Sequence, residues 1–167
     1  MMTHTGKLRC MTALYLTQGE QLLCLQRNGG RVAAGKWVGA AGGHFESGEL
    51  NDARACVLRE LREELGLTED DLTGLSLRYI TLRLKNGEVR QNYYFFAALK
   101  DPHRPLASTE GQLRWFLPQQ LQALPMPGSA KHMLEHWVTT GRHNDALYGG
   151  ISTAGGAQFT RLEEYED

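Results

Sequence analysis

The chain has 167 residues, 41% hydrophobic and 22% charged, which is enough for one domain with its own apolar core and unlike a disordered sequence. Eighteen Lys and Arg against nineteen Asp and Glu leave a net charge of −1. That excludes the broad basic excess of a duplex-binding surface but leaves room for local clusters that hold a small phosphorylated ligand. No stretch approaches the roughly 20 apolar residues of a membrane span, and Met1 to Arg9 lacks the apolar run of a signal peptide. Cys10, Cys24 and Cys56 form no CxxC pair. Scattered thiols of this kind suit a reducing compartment, so the expectation is a cytoplasmic protein that engages neither membrane nor nucleic acid.

In chain order, Met11–Leu16 and Gln21–Leu25 read as two short strands, with Gln18-Gly19-Glu20 as a hairpin turn between them. Asn28-Gly29-Gly30 and Ala33-Ala34-Gly35 make a flexible loop, Trp37–Ala41 a short strand, and Gly42 to Glu49 a second glycine-rich loop. Leu50–Leu65 is the strongest helix, free of Pro and Gly, with Val57, Leu58, Leu61 and Leu65 as its buried stripe and Gly66 as its stop. A polar link over 68–73 leads to a strand over Leu75–Leu84, the Asn86-Gly87 hairpin turn and a returning strand over Tyr93–Leu99. After a loop at 101–105 come a strand over Leu113–Leu117, a short helix starting at Pro118, a second long helix over Ser129–Thr140, and a final hairpin in the tail. The hairpin signals favour an antiparallel or mixed sheet with helices packed on it.

The informative segment is Arg59-Glu60-Leu61-Arg62-Glu63-Glu64-Leu65-Gly66-Leu67. At about 100° per residue, Glu60, Glu63 and Glu64 share one helix face, with the small residues Ala53 and Cys56 beside them. Like charges so spaced repel, and a hard divalent cation would reverse that penalty; Mg²⁺ takes oxygen ligands and is typically shared with phosphates. The competing reading is a surface helix laced by ion pairs from Arg59 and Arg62. The preceding Gly42-Gly43 pair tips the balance, because glycine lets backbone carbonyls and amides approach a ligand closely.

Gly43, Glu49 and the run Arg59 to Leu67 resemble the Nudix box, Gly-x5-Glu-x7-Arg-Glu-U-x-Glu-Glu-x-Gly-U, where U is a bulky aliphatic residue. The second half matches at every defined position, but nine residues rather than seven separate Glu49 from Arg59. The resemblance implies one Nudix domain over 1–167, with the box at 42–67 and a C-terminal helix and tail at 128–167. It implies an α+β fold, an α/β/α sandwich with a mixed central sheet flanked by helices. It also implies metal-dependent hydrolysis of a nucleoside diphosphate-linked substrate. Glu60, Glu63 and Glu64, with the Gly42 carbonyl, would hold Mg²⁺ or Mn²⁺, and Arg59 would orient the carboxylates.

The family's base is a box glutamate or an acid from a later loop. Here Glu60 is the first choice, Glu110 is the loop candidate, and Glu46 and Glu49 are secondary; the acid that often precedes the Trp is replaced by Arg114. Arg27, His44 and Tyr93 are candidate substrate-binding residues, with Lys36, Tyr79, Phe95 and Trp115 as weaker candidates against plain surface or core roles. His132 and His136, at i and i+4, have the spacing of a metal pair but no third ligand.

Segments 90–96, 130–137, 147–150 and 159–160 look similar to a bacterial subgroup labelled MutT-like or 8-oxo-dGTP diphosphatase-like. That implies a nucleoside triphosphate substrate, with oxidised bases included, cleaved to monophosphate and pyrophosphate. A nucleotide sugar or dinucleotide polyphosphate is the alternative. An isopentenyl diphosphate isomerase would need a catalytic cysteine in a suitable loop, and a non-catalytic nucleotide-binding module usually loses box glutamates that are all present here. Many members of the family form dimers, so the expectation is a monomer or a homodimer.

Overall fold

A computed structural model describes residues 5–28 and 35–167. Most of the loop predicted between Asn28 and Gly35 lies outside the described residues. Among those described, nine strands form one mixed sheet: β1 (Leu8–Gln18), β2 (Gln21–Arg27), β3 (Trp37–Gly39), β4 (Ala41–His44), β5 (Leu72–Lys85), β6 (Glu88–Leu99), β7 (Gly111–Phe116), β8 (Leu147–Thr153) and β9 (Gly156–Leu162). The main path is β3-β2-β1-β6-β5-β8-β9, with β4 added to β1 and β7 to β2. β1 runs parallel to β6, and β5 parallel to β8; the remaining pairs are antiparallel. Two helices, α1 (Ala53–Leu65) and α2 (Gly128–Thr139), cover its two faces. This is the sandwich expected from the sequence.

β1 explains the layering. Leu14, Tyr15 and Leu16 are all buried, so both of its faces are covered, as befits a strand inside a sandwich. Leu14 and Leu16 join Val57, Leu61 and Phe95 in the core under α1. Tyr15 joins Tyr79, Phe96, Met133 and Trp137 in the core under α2. Tyr79 and Phe95, weighed as base-stacking residues, are core residues.

The second glycine-rich loop is partly a strand. Gly42, Gly43 and His44 pair with Ala13, Thr12 and Met11 of β1. β1 and β2 are joined only near their hairpin, at Leu16↔Leu23, Thr17↔Leu22 and Gln18↔Gln21. Farther along they splay, and the 37–44 segment fills the opening, β3 on β2 and β4 on β1. Gly42 is obligatory there: its φ is +153°, and a Cβ would sit 2.2 Å from the Thr12 carbonyl oxygen.

α1 begins three residues later than predicted. Ser47–Glu49 is a single 3-10 turn, and Leu50, Asn51 and Asp52 form the connection that takes up the two extra residues of the box. Asp52 caps the helix by accepting a hydrogen bond from the Ala55 N–H at 3.0 Å. Gly66, at φ +66°, closes it with its N–H on the Arg62 carbonyl.

The connection from α2 to β8 is tied down by Arg78, which is 8% exposed and sits at a bulge of β5. Its guanidinium donates to the carbonyls of Gly141 (2.6 Å), Asn144 (2.6 Å) and Ala146 (2.9 Å).

Candidate active site

The geometry centres on Arg59. Its Nε donates to Glu49 Oε2 at 2.8 Å and its Nη2 to Glu49 Oε1 at 2.9 Å, a two-point grip. Nη1 reaches Glu60 Oε1 at 3.0 Å and Glu63 Oε2 at 3.1 Å, and Nη2 also meets the His44 carbonyl at 3.1 Å. Glu46 lies 3.5 Å away as a fourth carboxylate partner. Glu49 is buried, and its Oε1 also accepts the Glu46 N–H at 2.9 Å. Its hydrogen bonds from Arg59, reinforced by that backbone donor, hold its carboxyl down to about 2 against the cost of burial. The same carboxylates push the Arg59 guanidinium pKa up. The longer spacer therefore leaves the Glu49–Arg59 pair intact.

Glu60 and Glu64 turn toward the glycine strand. Glu60 is 9% exposed and lies against Gly43, where a Cβ would come 2.3 Å from Oε1. Glu64 Oε2 accepts the Gly42 N–H at 3.1 Å. Burial, and then the nearby charges of Glu60 and Glu110, raise the Glu64 carboxyl well above the ordinary carboxylate range. Glu110, the residue before β7, comes near enough for its charge to act on Glu64 because β7 pairs with β2 and the Asn28 N–H donates to the Glu110 carbonyl. Cys56 packs behind the site, 3.3 Å from Thr12 Oγ1, and burial raises its thiol to about 11.

The three carboxylates of the helix stripe are thus not equivalent. Glu60 and Glu64 face the glycines, whereas Glu63 is held by Arg59 with its side chain 56% exposed. Among the described residues, no three acidic, His or Cys side chains are already gathered at metal-binding distance. The donor set nevertheless fits a hard divalent cation. It is all oxygen, it carries more negative charge than Arg59 neutralises, and it lies in a notch that any side chain at position 43 would fill.

The predicted substrate-binding residues are spread over two faces. Tyr93 is on the α1 side, 5.4 Å from the Phe45 ring, with its hydroxyl donating to Gln91 Oε1 at 2.9 Å. Arg27 follows Leu23 and Leu25 on that side by strand alternation. His44 pairs with Met11, which places it on the α2 side. Lys36 is exposed, and Trp115 is half-buried against the α1 core. His132 and His136 do not form a metal pair: His132 Nδ1 is 3.1 Å from Ser152 Oγ, and His136 Nδ1 is 2.7 Å from the Tyr79 hydroxyl. Reading the sequence missed the partnership of Cys56 with Thr12, which joins residues 44 apart, and the buried Arg78, which lies in no motif.

A family model described as the NUDIX domain matches residues 7–137. The chain belongs to the Nudix family and is a pyrophosphohydrolase of that family. It is similar to the uncharacterised Nudix hydrolase YvcI of Bacillus subtilis, at 31% identity over 134 residues, 77% of this chain and 78% of that protein. In fold it is similar to the MutT protein of Bacillus halodurans, with a TM-score of 0.63 and 24% identity over 90% of this chain and 97% of the other. The Nudix domain of Shewanella oneidensis NrtR, crystallised with ADP-ribose, has a TM-score of 0.58 at 14% identity over 84% and 90% of the two chains. Among the described residues, no helix is long and apolar enough to cross a membrane.

Proposed function

We propose that this enzyme hydrolyses nucleoside triphosphates, including those with oxidised bases, to the monophosphate and pyrophosphate. The observation that carries this reading is the gathering of Glu60 and Glu64 against Gly43 and Gly42, with Arg59 anchoring Glu60 and Glu63. Glu60, Glu63 and Glu64, with the Gly42 carbonyl, are the residues that would hold Mg²⁺ or Mn²⁺. A bound divalent ion would neutralise phosphate oxygens and make a coordinated water more acidic.

The chain's own residues do the rest. A water oxygen forms a bond to phosphorus, the bond from that phosphorus to the pyrophosphate oxygen breaks, and a carboxylate takes the water proton. Glu60 is the assigned acceptor, being buried at the notch, with Glu110 as the loop alternative. Arg59 keeps Glu60 and Glu63 in register. Arg27, His44 and Tyr93 are assigned to the substrate. The ADP-ribose held by the NrtR domain keeps a nucleotide-sugar type of diphosphate as the second substrate class.

A nucleotide panel with Mg²⁺ tests this. Release of pyrophosphate from at least one nucleoside triphosphate supports it; turnover confined to nucleotide sugars or dinucleotide polyphosphates moves the assignment to those, and no triphosphate turnover removes the leading option. Glu63→Gln is the residue test. Because Glu63 is half-exposed, turnover should fall by orders of magnitude while the melting temperature stays within a few degrees. Unchanged activity contradicts the assigned role.

A further inference from the structure

Three arginines line up across the sheet beneath α2. In the parallel register of β1 and β6, Arg9 stands opposite Arg90, and in the antiparallel register of β6 and β5, Arg90 stands opposite Arg83. With strands about 4.8 Å apart, the three form a cationic bar about 10 Å long. Strand alternation puts them on the face of Tyr94 and Phe96, the α2 side. Lys85 is on the same face, opposite Glu88.

The bar is short of acid. Glu88 Oε2 serves two of the arginines at once, Arg9 at 3.3 Å and Arg90 at 3.5 Å. Arg83 has no acidic partner among the described residues, and the Nε atoms of both Arg83 and Arg90 are buried without a hydrogen-bond acceptor. Like charges directly opposite one another weaken a sheet, and a guanidinium cannot shed its proton to escape. A structural role would bring a carboxylate or carbonyls to those donors, as Arg78 has three carbonyls. Two buried, unanswered guanidinium donors on adjacent strands are the recognition chemistry of a phosphoryl group, which guanidinium forks grip at two points.

The bar also lies close to the candidate active site. Thr12, three residues along β1 from Arg9, is the partner of Gly43. Three residues of strand span about 10 Å, and Thr12 faces α1 whereas the bar faces α2, so the bar and the carboxylates lie on opposite faces of the sheet near the same stretch of β1. His44 stands between, opposite Met11. On the far side, His132 of α2 bonds Ser152, the residue after Ile151, whose partner is Leu82. The first half of α2 therefore sits over the same end of the sheet as Arg83.

We propose that Arg9, Arg90 and Arg83 form a second phosphoryl-binding site, separate from the carboxylates and on the face of the sheet turned to α2. Taking it as the place of an extra phosphoryl on the substrate rests on the nucleotide reading above; binding of phosphate itself does not.

Inorganic phosphate is the probe, titrated by calorimetry and ³¹P NMR in EDTA, so that neither metal nor turnover enters. The wild type should bind saturably, and Arg83→Gln should weaken binding at least tenfold, with Arg83→Lys recovering part of the loss. Arg9, whose side chain is 42% exposed, gives Arg9→Gln as a second variant that keeps the fold. Absence of saturable binding, or equal binding by wild type and both Gln variants, overturns the proposal. A second arm compares a nucleoside triphosphate with its 2′- and 3′-phosphorylated forms, also in EDTA. A tenfold gain for either form that Arg83→Gln abolishes places the phosphoryl on the substrate. No gain, with phosphate still bound, identifies a site for the free anion. Failure of the triphosphate assay alongside intact phosphate binding would sink the proposed reaction and leave this site standing.

Discussion

Gly42 and Gly43 are neighbours in one strand, yet alanine should harm them in different ways. At Gly43 the added carbon would lie 2.3 Å from Glu60 Oε1 and 2.7 Å from its Cδ. Ordinary contact starts near 3.5 Å, so the carboxylate must retreat by about 1 Å. It can do so, because a carboxylate is the far end of a side chain and Gly43 has an ordinary backbone conformation. A displacement of about 1 Å at reacting groups is worth about a hundredfold in rate, or about 2.7 kcal/mol of transition-state stabilisation.

At Gly42 the obstacle is backbone. The Cβ would lie 2.2 Å from the Thr12 carbonyl oxygen and 2.8 Å from the Ala13 Cα, at a φ of +153°. Relief there requires β4 to part from β1, at a cost of about 3 kcal/mol or more, which is about 10 °C in a protein of this size. The assay pairs thermal melting with Mg²⁺-dependent pyrophosphate release. Gly43→Ala should lose about a hundredfold in kcat/KM with its melting point within a few degrees of wild type. Gly42→Ala should melt about 10 °C lower. Wild-type turnover in Gly43→Ala would refute the importance of the Glu60 position, and equal unfolding of the two variants would refute the distinction between side-chain and backbone obstruction.

The Arg59 and Glu49 pair carries two further predictions. Arg59→Lys keeps the charge but loses the two-point grip on Glu49 and the reach to Glu60 and Glu63; it should lose about 2–3 kcal/mol in urea unfolding, and turnover should fall at least tenfold. Retention of both would mean that charge alone suffices. The Glu49 carboxyl ionises more readily in the folded protein, near pH 2 against an ordinary value of 4.5. Its stabilising contribution is therefore complete above about pH 4.5 and fades as the pH falls toward 2. The gap in unfolding free energy between wild type and Glu49→Gln should be widest near neutral pH and narrow across that window. A gap that is constant with pH would show that the pairing does not depend on Glu49 ionisation.

What the sequence discloses is what the chain encodes locally. The carboxylate stripe of α1 follows from a 3.6-residue period, and its end at Gly66 from a glycine that alone takes φ +66° without strain. The start of α1 was less legible, because Leu50 and Asn51 look as helical as the residues after them until Asp52 is seen to cap. The strand at Gly42 to His44 was hidden by its glycines. Their lack of side chains reads as loop, whereas the structure needs that lack to bring β4 against β1 and Glu60. The approach of Glu110 to Glu64 and the row of Arg9, Arg90 and Arg83 depend on strand register between distant segments, and Arg9 and Arg90 are joined by a parallel pairing with no hairpin to announce it.

The grip of Arg78 on residues 141–146 bears on where this protein can be cut. The family match stops at residue 137, which invites trimming the rest as an appendage. Yet the carbonyls that solvate this interior cation all come from beyond that boundary, and Tyr148 and Phe159 lie against Tyr79 at 5.4 and 5.6 Å between ring centres. A fragment ending at the family boundary would leave the Arg78 guanidinium without its three acceptors and uncover the aromatic face of Tyr79. The last turn and hairpin are thus as much a part of the foldable unit as α1, and any domain swap or minimal version must carry them along.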